Sequence, residues 1–559
     1  METQEKSLFT EFFAGRLSRR DFLYGAGGLA AIALATPAEA LLDKTGLPSD
    51  PFTLGVASGD PASDGVVLWT RLAPNPLNGG WQSTRSLAVQ WTVSTDPLMQ
   101  NIVQRGSALA SPALGHSVHV ELTGLRPATE YWYQFSAGSY KSPIARTKTT
   151  PAPGADVGQV RFGLVSCSNF QNGYFAAYKR LAEDNLDVII HVGDYIYEYD
   201  PASDFPDRKH TTPQTPPPAG YKADQLVNLV DYRNRYAQYK SDPSAIAAHH
   251  SAPWIVTPDD HEVENNYANS IDEIDDRPNR STAAAFLLQR SHAYQAYYEH
   301  QPLRIASLPQ GPDIRLYRKI TYGNLVEFNV LDTRQYRTEQ TSGFGIRLAN
   351  DFSPLLPVGG NPTGTLMGAT QENWLFDNLT RSTAKWNVVA QQVMMARFNF
   401  GKFLPPPTGP NLYNMDQWDG YGAARQRVLD KFDALSSKNF IVLSGDIHSG
   451  WATNLLKNFD DATSRVVGTE FVCTSITSSF VGPQILPAIV GAANTTPWIK
   501  FFDGAFRGYC RCTITQDLWK TEFVGVTGNA NQQVSDPNAA SQVIGTRYVH
   551  AGTPGATNS

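Results

Sequence analysis

Four short segments, each leaving an apolar run, carry the residue types that can hold metal ions. They are Gly163-Leu164-Val165-Ser166-Cys167-Ser168-Asn169, Ile190-His191-Val192-Gly193-Asp194-Tyr195-Ile196-Tyr197-Glu198, Val256-Thr257-Pro258-Asp259-Asp260-His261-Glu262 with Asn265 and Asn266 a turn later, and Leu443-Ser444-Gly445-Asp446-Ile447-His448-Ser449. Singly each is weak, because a Gly-Asp after a strand is common and a lone histidine is more often structural than a ligand. Together they deliver Asp, His, Tyr and Cys from successive strand ends, where open α/β sheets place their sites. Phosphoester chemistry needs such a cluster, since two or more cations must be held close together to clamp the attacking and leaving oxygens. A carboxylate bridging two cations does this economically, and Asp194 is the best-placed candidate, with Tyr197 near enough along the loop to reach the same ion. A thiolate from Cys167 and a phenolate favour a transition metal such as ferric iron, Fe3+. An Asp- and carbonyl-rich neighbouring site favours a hard ion such as Ca2+. His191 reads as structural, and Asp332 and Asp416 read as salt-bridge partners of nearby arginines.

The elements that must position these groups are legible as a change of pattern. From about Val160, apolar runs (Val160 to Val165, Val188 to Val192, Trp254 to Thr257, Leu325 to Leu331, Phe440 to Leu443) end in Asp, Cys or His and are followed by helical patterns. That alternation predicts an α/β, layered domain with buried strands. Between Pro51 and Thr150 the runs are short and alternating, as in Gly65 to Thr70, Leu87 to Val93 and His116 to Leu122, and predict a small β-sandwich with no catalytic cluster of its own. Leu125 to Phe135 resembles a fibronectin type III strand with its preceding corner, and residues 149–154 read as a linker. The expected organisation is a leader at 1–40, an N-terminal β-sandwich at 41–150, a catalytic domain at 156–530 and a polar tail at 531–559 in which only Arg547 to His550 looks strand-like.

The leader is read from Ser18-Arg19-Arg20-Asp21-Phe22-Leu23 before an apolar run, followed by Ala38-Glu39-Ala40, whose small residues suit a signal peptidase. It resembles a twin-arginine export signal, which makes the twin-arginine translocation machinery an expected partner and the mature protein periplasmic or extracellular. The run is too short for a membrane span, so none is expected in the mature chain. With 559 residues the chain exceeds one ordinary core. A net charge of −6 gives no electrostatic case for stable nucleic-acid binding. Four cysteines exclude a disulfide scaffold. Cys510 and Cys512, two apart on a strand, share a face, while Cys473 either pairs with one of them or is a buried thiol like both.

The four segments resemble the calcineurin-like metallophosphoesterases and, more closely, the alkaline phosphatase D branch, which reads Cys-Ser-Asn, Gly-Asp-Tyr-Ile-Tyr-Glu, Asp-Asp-His-Glu and Gly-Asp-x-His. The likeness continues through Tyr232 to Tyr236, Leu331 to Arg337, Met415 to Tyr421 and Ser475 to Ser478. It implies an α/β/β/α metallophosphoesterase domain behind a fibronectin- or immunoglobulin-like sandwich. It implies Cys167, Asp194, Tyr197 and His448 around iron and Asp194, Asp260 and Asp446 around calcium, with Gln391 or Gln392 as a further ligand. Asp259 is the alternative to Asp260. His261 corresponds to the histidine that protonates the leaving oxygen or stabilises phosphate, and Asn265, Arg233 and Arg334 to phosphate contacts or their support.

The function expected from this reading is hydrolysis of phosphate monoesters or diesters by in-line attack of a metal-bound hydroxide, with electrostatics as the main catalytic term. The substrate would be a small phosphate ester, a phospholipid or a nucleotide ester. A phospholipase D-type activity on the same metal platform is the alternative, and a phosphate-binding protein with a dead site a more distant one. A serine-nucleophile phosphatase is disfavoured by the lack of an Asp-Ser-Ala triplet, and a His-x-Lys phospholipase by the lack of that motif.

Overall fold

Residues with buried, β-branched and aromatic side chains build two large sheets in the computed structural model, which describes residues 46–203, 205–217, 225–272, 281–340, 352–353, 363–400, 412–526 and 532–559. The expected leader at 1–40 lies outside the described residues. The first sheet has ten strands, in the order Thr553–Thr557, Gln542–His550, Leu518–Gly525, Gly508–Ile514, Val160–Val165, Val188–His191, Trp254–Val256, Val56–Ala62, Gly65–Arg71 and Ser117–Glu121. Three strands that lead into the candidate site are adjacent and parallel in it, with Leu164 opposite Ile190 and Ile190 opposite Ile255. Parallel pairing in this register brings their carboxyl ends to one rim. The fourth, Asn439–Ser444, lies in a seven-stranded sheet ordered Arg318–Tyr322, Val326–Val330, Trp386–Ala390, Asn439–Ser444, Val466–Val472, Gly450–Leu456 and Ile499–Asp503.

Side chains alternate faces along these strands, as the pleat demands. Val188 and Ile190 join a core that contains residues of both sheets, whereas Ile189 joins a core shared with helices. In the core common to both sheets, Phe162 sets its ring edge-on to Phe328 of the second sheet and to Trp519, with centroids 5.5 and 5.6 Å away. A second core packs the first sheet against Ala176–Ala182, Leu229–Lys240, Pro243–Ser251 and Ala283–His300. A third packs the second sheet against Gly368–Arg381, Gly422–Ala434 and Leu486–Thr495.

Two differences from the sequence reading concern boundaries. The strands Leu87–Ser94, Ile102–Ala110, Glu130–Ala137, Tyr140–Lys141 and Ala145–Lys148 do form a sheet of their own. Three other strands before residue 150 instead extend the ten-stranded sheet, through the pairing of Gly59 with Trp254. The cut expected at 150 is therefore not a break in hydrogen bonding. Likewise the expected polar tail contributes Gln542–His550 and Thr553–Thr557 to that sheet, because Gln542–His550 pairs along its length with Leu518–Gly525. All four cysteines are buried free thiols, so the bridge between Cys473 and Cys510 or Cys512 is not formed.

If the shared core couples the two sheets, Phe162→Ala should cost about 3–5 kcal/mol. Thermal and urea unfolding should show a clear drop in Tm and midpoint, and an unchanged melting curve would contradict this packing.

Candidate metal centre

Four residues read as metal ligands leave their strands in a left-handed backbone conformation, with φ of 58° at Cys167, 58° at Asp194, 64° at Asp446 and 57° at His448. For residues with a Cβ this conformation costs roughly 1–2 kcal/mol each, and it persists where the surroundings over-determine it. Here they do. The Cys167 N–H donates to the Gly193 carbonyl (3.1 Å) and the Ser168 N–H to the Asp194 carbonyl (2.9 Å), joining the first loop to the second. The Glu262 carboxylate accepts from the backbone N–H groups of Asp194 (3.0 Å), Tyr195 (2.6 Å) and Asp259 (2.8 Å), joining the second to the third. Two glycines allow the approach. A Cβ at Gly193 would lie 2.3 Å from the Asp259 Cβ, and one at Gly445 would lie 2.5 Å from the Ser166 Oγ.

Among the described residues, three groups place their ligand atoms within 4.8 Å of one another: Cys167, Asp194 and His448; Asp194, Asp260 and His261; and Asp259, Asp260 and Asp446. Asp194 belongs to the first two and Asp260 to the last two, so the groups form a chain through two shared carboxylates. Tyr197 completes the first. Its hydroxyl donates to Asp194 Oδ2 (2.9 Å), lies 3.1 Å from His448 Nε2, and accepts from Ser478 Oγ (2.7 Å).

The donor set fits cations. Asp194 Oδ1 is buried with no hydrogen-bond partner, an arrangement that is expensive for a carboxylate. His448 Nδ1 lies 2.8 Å from the Ser479 carbonyl, which requires the proton on Nδ1 and leaves Nε2 as a lone-pair donor facing the cluster. Burial pulls His448 down to about 3, so its imidazole is neutral and ready to ligate. Burial, reinforced by Asp194, pushes the Cys167 thiol and the Tyr197 phenol well above their ordinary values. Burial together with Asp260 and Asp259 likewise holds Asp194 up against the pull of His261, and burial raises Asp446 to about 6. The upward shifts share a cause: anionic groups gathered away from water with too little positive charge. A bound cation would offset them by favouring the deprotonated ligand.

His261 differs from the other site histidine. Burial alone would lower it, but Glu198, Asp260 and Asp194 overcome burial and raise it well above its ordinary value. Its Nδ1 lies 2.8 Å from Glu198 Oε2 and its ring stacks on Tyr197 at 4.1 Å.

Several expected roles become specific. Arg334, expected as a phosphate contact or its support, is fully buried, with Nε on Asp259, Nη1 on Asp416 (2.8 Å) and Nη2 on Asp446 (3.1 Å) and 3.5 Å from Asp260. Its planar fork is directed at the acidic cluster. Arg233 forms a two-pronged pair with Glu299 beside Gly115, in the turn before the strand Ser117–Glu121, and takes no part in the cluster. Asn265 is half-buried and donates its backbone N–H to Glu198 Oε1 (2.8 Å). Gln391 binds Ser444, Val393 and Trp418, and Gln392 binds Thr333, Thr257, Pro258 and Leu331, so both amides brace loops where a further cation ligand was expected. Asp416 pairs with Arg334 and Arg337 as expected, whereas Asp332 caps its own turn by accepting from the N–H groups of Arg334 and Gln335. His191 is buried against Tyr178, a structural role.

The sequence reading passed over Glu198, Glu262, Ser478 and Arg235. Arg235, fully buried on Leu229–Lys240, donates to the carbonyls of Tyr197, Tyr199 and Thr211 and so fastens the loop that carries Tyr197. Glu198 and Glu262 both stood inside the quoted motifs, three or fewer residues from a ligand, which was the available signal.

Comparison with known proteins agrees with this geometry. Residues 162–523 match the model of the PhoD-like phosphatase family and residues 37–151 that of its N-terminal domain. Alkaline phosphatase D of Bacillus subtilis (strain 168) is 47% identical over 511 residues, covering 90% of this chain and 84% of the relative. A solved structure described as PhoD superposes with a TM-score of 0.80 at 46% identity, covering 91% of this chain and 92% of that one. The chain belongs to the PhoD-like phosphatase family.

Proposed function

We propose that this phosphoesterase hydrolyses its ester at a two-cation centre built on Asp194, in an enzyme exported by the twin-arginine route. The observation that carries the reading is that Asp194 belongs to two groups of close ligand atoms, one with Cys167 and His448 and one with Asp260 and His261. Cys167, Asp194, Tyr197 and His448 would hold Fe3+, for which a thiolate and a phenolate are suited, and Asp194, Asp260 and Asp446 would hold Ca2+. When bound, such cations acidify water and neutralise charge on the phosphoryl oxygens.

The chain's own residues do the rest. Arg334 links Asp259, Asp260, Asp416 and Asp446 and offsets their mutual repulsion, so the acidic cluster keeps its shape. Glu262 and Arg235 hold the loops at the rim. His261, kept protonated by Glu198, would donate its proton to the leaving oxygen as general acid. The two sheets, their common core and the helices on their outer faces support an α/β/β/α layered sandwich, and the five-stranded sheet supports a fibronectin- or immunoglobulin-like N-terminal domain. Arg19-Arg20 ahead of an apolar run supports a periplasmic or extracellular enzyme.

Two measurements test this. Asp194→Asn should lower kcat by at least about a thousandfold on a chromogenic phosphate ester, an effect the size of losing a central electrostatic group. Chelator treatment should abolish wild-type hydrolysis and re-addition of metal should restore it. Retained activity in either case contradicts the reading. Glu198→Gln tests the acid. Removing the Glu198 charge lowers the value at which His261 loses its proton, so the alkaline limb of the kcat profile should move to lower pH on an ester with a poor leaving group. An unmoved limb would take the proton-donor role from His261.

A further inference from the structure

Tyr199, whose ring lies beside His261, is open to solvent at 41% exposure, while the neighbouring Tyr197 is 1% exposed. An exposed aromatic ordinarily needs no explanation. This one is held in place in a way that ordinary surface tyrosines are not. Its carbonyl accepts from buried Arg235 (3.0 Å) and lies 3.0 Å from His210 Nδ1. Directly after it, the Gln171 side chain donates to the carbonyls of Asp200 and Ala202, and Ser203 Oγ donates back to the Gln171 carbonyl (2.8 Å). The ring stands edge-on to His261 with centroids 5.0 Å apart, is tilted on Tyr197 at 5.8 Å, and brings its hydroxyl to 3.5 Å from His261 Nε2. Since His261 Nδ1 is occupied by Glu198, Nε2 is the nitrogen left for a substrate, and Tyr199 flanks it.

We propose that the exposed face of Tyr199 is the wall on which the alcohol half of the ester packs, so that the enzyme favours esters whose leaving group presents a flat, apolar face. This rests on the reading that His261 protonates the leaving oxygen, since that step places the departing alcohol next to Nε2. A rigid ring that binds the alcohol loses little freedom on contact, and aromatic pairing adds to the burial of area.

The test compares kcat/KM for phenyl phosphate with that for ethyl phosphate, both followed by phosphate release, in the wild type, Tyr199→Ala and Tyr199→Phe. Tyr199→Ala should lower the phenyl-to-ethyl ratio about five- to tenfold, mainly through KM for the phenyl ester, and Tyr199→Phe should keep the ratio. An unchanged ratio in Tyr199→Ala, or an equal fall in Tyr199→Phe, overturns the proposal. His261→Ala separates the underlying reading: if it leaves kcat for ethyl phosphate intact, the proton-donor role fails, whereas the Tyr199 wall is judged on the ratio alone.

Discussion

Carboxylates resist being buried together. Desolvation disfavours each charge and every neighbour of like sign adds to the penalty, yet buried Asp194, Asp259, Asp260 and Asp416 and the partly buried Asp446 are gathered at one rim. The rest of the centre can be read as the means of tolerating that. Arg334 reaches four of these groups, His261 is driven to its cationic form, and the remaining deficit falls on Asp194, Cys167 and Tyr197, whose protons are held abnormally tightly. Groups perturbed by burial and by one another mark a site for chemistry more often than a site for stability.

The scaffold meets the geometric half of the problem. Parallel strands in matched register end together, and the loops beyond them turn sharply through left-handed residues that ordinary packing would avoid. Gly193 and Gly445 admit one loop against another at distances that a Cβ would forbid. Glu262 then spends a buried carboxylate on three backbone N–H groups, making the strained turns mutually dependent. Conformational strain and electrostatic strain thus meet at Cys167 and Asp194, and a ligand of positive charge would offset the electrostatic part.

Much of this was legible in the sequence because the candidate ligands follow apolar runs at fixed short offsets. The segments that carry Cys167, Asp194, Asp260, Asp446 and His448 stand out by motif and strand, the resemblance to a known family narrows them to these residues while leaving Asp259 as the alternative to Asp260, and each takes part in the cluster. The arginines could not be assigned in the same way. Arg233 and Arg334 both sit in motifs with plausible anion chemistry, but which carboxylate a long side chain reaches depends on contacts far along the chain, such as Glu299 and Asp416. The gathering of strands from before residue 150 and after residue 540 into one sheet was hidden for the same reason. Pairing of Gly59 with Trp254 leaves no local periodic signal. Gln391 and Gln392 could not be assigned from sequence because an amide beside a strand end can serve a cation or a loop equally well, and in the structure both are hydrogen-bonded to loop residues.

The central claim is that Asp194 lies between two cations. Anomalous diffraction from crystals of protein purified without chelator addresses it directly. The account predicts two metal peaks, one among Cys167, Asp194, Tyr197 and His448 and one among Asp194, Asp260 and Asp446, with Asp194 in contact with both. A single peak, or two peaks that Asp194 does not join, would contradict it.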